Sequence, residues 1–171
     1  MAITVYHGTI YDFKSPLLEK CKDRKDFGKG FYLAHEIAHA RDIAKKNYLV
    51  HNASHAYIVS YKIDIAELRE LGLLVHEFRE PNKAWLDFII KNRNLLSTED
   101  YDVVIGPTAD SAAQAIITSF YENNGLNATK SQVDAVIKQL KTSVYGKQYC
   151  FRTLQAIDYL TEHYCERRQI K

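Results

Sequence analysis

The 171-residue chain predicts one mixed α+β domain, on three observations. Strand-like and amphipathic segments alternate irregularly, without the regular series of crossover units that a doubly wound sheet requires. Hydrophobic residues make up 46% and charged residues 26%, with 7 Gly and 3 Pro, which suits a single core spanning 1–171 and excludes disordered or collagen-like sequence. No repeat, low-complexity linker or apolar run of roughly 18 residues breaks the chain, so neither a second domain nor a membrane span is expected.

Ile3 to Tyr6 alternates β-branched with polar or aromatic side chains and stops at His7-Gly8-Thr9, an opening strand running into a polar turn. Phe13 to Lys25 reads as a loop with one helical turn after Pro16. Asp26-Phe27-Gly28-Lys29-Gly30 then leads into a short aromatic strand, Phe31-Tyr32-Leu33-Ala34. A helix is expected from about His35, with Ala38, Ile43, Ala44 and Tyr48 as its apolar stripe and Lys45 and Lys46 toward water. Ala56 to Ile63 is the clearest strand, with Tyr57, Val59, Tyr61 and Ile63 on one face, and is expected at the sheet centre. Asp64 to Gly72 is a short helix closed by glycine, and Leu73 to Phe78 a further strand.

Pro81 opens a helix with Trp85, Phe88, Ile89 and Leu96 at helical spacing, Trp85 facing the core. Tyr101 to Ile105 is a strand ending in a Gly106-Pro107 turn. Thr108 is expected to cap a helix to about Tyr121, and Thr129 another to about Leu140. Tyr149 to Arg152 is the last strand, and Leu154 to Arg168 the last helix. The net charge is only +2, from 23 Lys+Arg against 21 Asp+Glu, so no global field argues for non-specific binding to nucleic acid or membrane. Cys21, Cys150 and Cys165 are odd in number and lack ligand-like spacing; with no secretory leader visible, the expectation is reduced thiols in a cytoplasm.

Three segments place polar or aromatic side chains at strand ends beside glycine, or opening a strand, where backbone can approach a ligand: His7-Gly8-Thr9, Gly28 to Ala34, and Gln148-Tyr149-Cys150-Phe151. Each alone has a plain structural reading: a satisfied histidine, a core tyrosine, a solvated glutamine. Arg24 and Asp26 either contact a ligand's phosphates or fix the loop. Asp110 suits a helix-dipole partner better than a catalytic acid, and Arg93 a helix-end charge.

Taken in order, these segments resemble the ADP-ribosyltransferase superfamily. Phe27-Gly28-Lys29-Gly30-Phe31-Tyr32-Leu33-Ala34 is similar to the glycine-lysine-glycine-aromatic-tyrosine stretch of its poly(ADP-ribose) polymerase branch, and Gln148-Tyr149 sits where that branch has Glu-Tyr. The blocks VYHGT, DFGKGFYLA, AWLDFIIKNR, YDVVIGPTAD and KQYCF, over about residues 4–153, resemble a bacterial family of unknown function assigned to this fold. The resemblance implies an α+β domain with a split mixed or antiparallel sheet flanked by helices, using NAD. It implies His7 on the adenosine-side ribose, the Gly8 backbone on the nicotinamide carboxamide, Thr9 supporting that strand end, and Tyr32 stacked on the nicotinamide ring. Gly30, Phe31 and Ala34 would line the same site, and Gln148 would accept from a ribose hydroxyl. Ala40 and Ile43 stand where the polymerase branch has a carboxamide-binding serine and a second stacking tyrosine.

Gln148 is neutral, so it orients a ribose but neither offsets cationic charge nor deprotonates an acceptor. That argues against polymer elongation and for mono-ADP-ribosylation of a protein or nucleic acid, for NAD hydrolysis, or for binding without turnover. Relatives of this kind are often bacterial toxins or effectors, which makes a neutralising partner protein an expectation too. A rival reading lies in His35-Glu36-Ile37-Ala38-His39, a literal H-E-x-x-H, which on a helix puts two imidazoles on one face for zinc with Glu36 as base. Its third ligand is open among Glu67, Glu70, His51 and His55. Asp26-Phe27-Gly28 spells a kinase tripeptide without the rest of the kinase pattern.

Overall fold

The computed structural model describes residues 1–97, 99–109, 111–140 and 144–171, the side chains of Ser111, Val144 and Tyr145 excepted. Its elements run β1 (Ile3–Thr9), a 3-10 turn (Leu18–Lys20), β2 (Phe31–Ala34), α1 (Ile37–Val50), β3 (Tyr57–Ile63), α2 (Ile65–Glu70) and β4 (Val75–Glu77). Then follow α3 (Lys83–Arg93), β5 (Val103–Ala109), α4 (Ser111–Asn124), α5 (Lys130–Leu140), β6 (Val144–Phe151), α6 (Leu154–Glu162) and β7 (Tyr164–Gln169). The seven strands form one mixed sheet in the order β4-β5-β6-β2-β1-β3-β7. Only β4 and β5 are parallel.

Alternation along the strands sorts the core into two layers. Val5, Leu33, Val59, Tyr61, Ile105 and Phe151 face α2 and α6, where Leu68, Ile157 and Leu160 cover them. Val104 and Cys150 face the other way, into Trp85, Phe88 and Ile89 of α3, Ile117 of α4 and Leu140 of α5. α1 lies on this second face, above β1. Local chemistry sets several boundaries. Asn82 accepts from the Trp85 amide at 2.9 Å and caps α3. Thr129 and Gln132 form a reciprocal capping box at the head of α5, with Gln132 Oε1 accepting from the Thr129 amide at 2.8 Å.

The structure corrects seven expectations. β3 is not central but one strand in from the β7 edge. Gly106 and Pro107 do not turn the chain; they continue β5 opposite Gln148 and Lys147, and the register shifts next to the proline, where a missing N–H is tolerated. Thr108 is therefore a strand residue and not a cap. Pro81 precedes the Asn82 cap instead of opening the helix, and α3 ends at Arg93, leaving Leu96 exposed. In α1 the buried stripe is Ala40 and Ala44, while Ile43 faces outward, because this helix sits too close to β1 for larger side chains. The last helix stops at Glu162, and Tyr164–Gln169 is an edge strand on β3. Asp110 lies outside the described residues. No helix among those described is long and apolar enough to cross a membrane.

Candidate functional site

β1 pairs with β3 along its whole length, but with β2 it shares one ladder pair, Tyr6 opposite Ala34. Beyond that pair the seam is bridged by a side chain: His7 Nδ1 donates to the carbonyl oxygen of Tyr32 at 2.7 Å. A carbonyl only accepts, so the proton resides on Nδ1 and Nε2 presents a lone pair. The imidazole lies 4.3 Å from the Phe31 ring and 5.8 Å from Phe13, centroid to centroid. Burial among these rings lowers the His7 pKa to about 4, outweighing the backbone bond that raises it. The unfolded chain then holds more protons between pH 4 and 6.5, so stability should rise with pH across that window and level off above it. Urea midpoints measured at pH 4.5 and 6.5 should differ less in His7→Gln than in wild type; an unchanged difference would assign the slope to other groups.

Gly8 follows on β1, and the place where a Cβ would sit is 1.8 Å from the Ala40 carbonyl oxygen, so α1 rides directly on the bare backbone. Thr9 is buried, and its hydroxyl accepts from the Tyr11 amide at 3.1 Å, closing the strand end. Across the seam, the Tyr32 hydroxyl donates to the Gly28 carbonyl at 2.8 Å and accepts from the Phe27 amide at 2.9 Å. Burial raises its pKa well above the usual phenol value, so it stays a neutral donor. Gly28 adopts a left-handed φ of +80°, and a side chain there would meet Asn92 Oδ1 at 2.5 Å. Gly30, Phe31 and Ala34 are buried, Gly30 against Cys150 and Phe31 in the core layer under α6.

β6 lies on the far side of β2, with Ala34 opposite Gln148 and Tyr32 opposite Cys150. Tyr32, Ala34 and Gln148 thus share the sheet face that Gly8 and Ala40 border, and Tyr32 and Gln148 are diagonal neighbours, typically ~7–8 Å apart. The Gln148 amide nitrogen donates weakly to the Pro107 carbonyl at 3.4 Å. Burial pushes the Cys150 thiol up to about 12, which makes it an inert core residue.

The structure therefore brings Gly8, Tyr32, Ala34, Ala40 and Gln148 to one face of the sheet, while the His7 ring lies on the opposite face against Phe31 and Phe13 and meets Tyr32 through the backbone carbonyl. Arg24 stands apart on the exposed loop, at a left-handed φ of 52°. Asp26 is buried and gripped by Arg93 through Nε at 2.9 Å and Nη2 at 2.5 Å, which fixes the glycine loop to the end of α3. Arg93 is thus more than a helix-end charge. A separation of 67 residues left no sequence signal for that pair. The H-E-x-x-H stretch lacks its helical geometry: Glu36 is the N-cap of α1 and His35 precedes it, its amide bonded to the Lys147 carbonyl at 2.9 Å as an extension of β2. Its two imidazoles do not share a helix face, and no group of three His, Cys, Asp or Glu among the described residues is placed to hold a metal ion. A groove of about 220 Å³ lies elsewhere, between α3 and α4, lined by Ile90, Arg93, Ile117 and Tyr121.

Fold and site together define a mixed α+β domain with a seven-stranded mixed sheet flanked by helices, in which His7 on one face and Tyr32 and Gln148 on the other flank the β1–β2–β6 junction. Residues 3–161 match the family described as "Protein of unknown function (DUF3990)", and the chain belongs to that family. No curated protein and no solved structure matches it.

Proposed function

We propose that this protein is an NAD-dependent ADP-ribosyltransferase that passes a single ADP-ribose unit to an acceptor and releases nicotinamide. The observation that carries the reading is the His7 bridge to the Tyr32 carbonyl, which draws the strand end His7-Gly8 up to the aromatic strand at the point where the sheet is held by one ladder pair. A sheet nearly parted there is what an ADP-ribosyltransferase-like split sheet requires, and the ordered sequence blocks support the same fold.

The chemistry follows from the parts. Breaking the bond between nicotinamide and ribose builds positive charge on the sugar, so the site must pin the ribose, hold the leaving ring and leave one face of C1′ open. The Nε2 lone pair of His7 would accept from a ribose hydroxyl. The Gly8 backbone would read the carboxamide, and the Tyr32 ring would stack on nicotinamide for about 0.5–1.5 kcal/mol beyond its buried area. Since Ala40 is buried and Ile43 points outward, the ring clamp rests on Tyr32 alone. Gln148 would hold a ribose hydroxyl without adding charge, which suits transfer of one unit and not chain growth.

The test is incubation of the purified protein with NAD, quantifying free nicotinamide and searching a lysate by mass spectrometry for a modified acceptor. Wild type should release nicotinamide slowly, and Gln148→Glu faster. Gln148 also favours a second reading, a module that binds NAD or ADP-ribose without turnover; saturable NAD binding with no nicotinamide from either protein would select it.

A further inference from the structure

A neutral side chain at 148 leaves the proposed transfer without a carboxylate at its usual place on β6. We propose that Glu36 supplies it, as the base that takes the proton from the attacking acceptor hydroxyl or water; this rests on the ADP-ribosyl transfer reading above. β2 ends at Ala34, and one further backbone hydrogen bond ties the next residue to β6. Ala34 stands opposite Gln148, the His35 amide bonds the Lys147 carbonyl at 2.9 Å, and Glu36 Cγ comes within 3.9 Å of where a Cβ of Gly146 would be. Glu36 therefore lies beside Gly146, which is two residues before Gln148 on β6, a spacing along the strand of roughly 7 Å.

Among the described residues its carboxylate accepts no hydrogen bond. Glu36 is the N-cap of α1, yet its side chain makes no capping hydrogen bond. Its ion-pair neighbour among the described residues is the His35 ring, at 3.9 Å. A second carboxylate near this end of β6 among the described residues, Glu77, is held by Lys147 Nζ at 3.1 Å, and alternation turns Lys147 away from Gln148. The Glu36 side chain is 60% exposed, so an acceptor can reach the carboxylate from solvent.

In the step, the bond from ribose C1′ to the pyridinium nitrogen breaks and its electron pair leaves with neutral nicotinamide. The acceptor oxygen bonds to C1′, and its proton passes to Glu36 and on to solvent. With water as acceptor the balance is NAD⁺ and water to ADP-ribose, nicotinamide and a proton.

The experiment compares full-length wild type with Glu36→Gln, Glu36→Asp and Glu77→Gln, reading nicotinamide release, NAD affinity by calorimetry and the thermal midpoint. Glu36→Gln should lower kcat about a hundredfold while NAD affinity and midpoint stay near wild type. Glu36→Asp should recover part of the rate, and Glu77→Gln should resemble wild type. Wild-type turnover left undiminished in Glu36→Gln overturns the assignment and spares the transfer reading. A wild type that binds NAD without turnover overturns it in favour of a binding module, and one that does not bind NAD overturns both.

Discussion

Replacing Gly8 with alanine is expected to cost more than about 3 kcal/mol, at the upper end of what overpacking does in a folded core. The added methyl would lie 1.8 Å from the Ala40 carbonyl oxygen, 2.8 Å from the Ala40 carbonyl carbon and 2.9 Å from the Ala44 nitrogen. All three are backbone atoms of α1, so no rotamer change relieves the contact and the helix itself must lift off β1. The φ of Gly8 is not left-handed, so the whole penalty is contact and none of it is conformational strain. Gly125 is the complementary control. Its φ is +59° with nothing within 4 Å of a Cβ position, so Gly125→Ala should cost only the ~1–2 kcal/mol of a left-handed residue. For a domain of this size, where 1 kcal/mol moves the midpoint by roughly 2–4 °C, Gly8→Ala should lower the thermal midpoint by about 6–12 °C or more and Gly125→Ala by much less. Equal shifts would mean that the helix accommodates the methyl, and that the His-Gly pair is not kept for packing.

The same contact explains which parts of the fold were legible in the sequence. Helix α3 could be read because Trp85, Phe88 and Ile89 bury against one face and repeat at helical spacing. In α1 the apolar spacing misleads: the face toward the sheet needs small residues over Gly8, whereas the bulky Ile43 points to water. β7 is not legible, because an edge strand with Glu166, Arg167 and Arg168 exposed shows no alternation of apolar and polar residues. β5 was cut short by Gly106-Pro107, since a proline inside a strand is admissible only at a register shift, and that lies in the partner strand. Among the candidate site residues, His7, Tyr32 and Gln148 are legible because glycines and strand ends mark them. The Asp26–Arg93 grip and the placing of Glu36 beside Gly146 depend on tertiary approach alone.

Tyr32→Ala and Tyr32→Phe should part company, because the residue does two separable jobs. Its hydroxyl closes the Phe27-Gly28 loop with two backbone hydrogen bonds. Its ring fills the layer beside Cys150 and, in the proposed function, backs the nicotinamide. Removing the hydroxyl strands a half-buried amide and carbonyl, a loss of about 1–3 kcal/mol, yet keeps the ring. Tyr32→Phe should therefore lower the denaturation midpoint while binding NAD within a few-fold of wild type. Tyr32→Ala loses both, at about 3–5 kcal/mol of stability for a large buried ring, and NAD affinity should fall at least about tenfold, given that 1.4 kcal/mol is tenfold and that stacking and buried area are lost together. Cys150→Ala, which trims the directly opposed residue on β6, should leave NAD affinity unchanged. Calorimetric titration of the three variants below their midpoints decides it: if Tyr32→Ala binds NAD as tightly as Cys150→Ala, the nicotinamide does not lie against this ring, and the cleft must be sought on another part of the sheet.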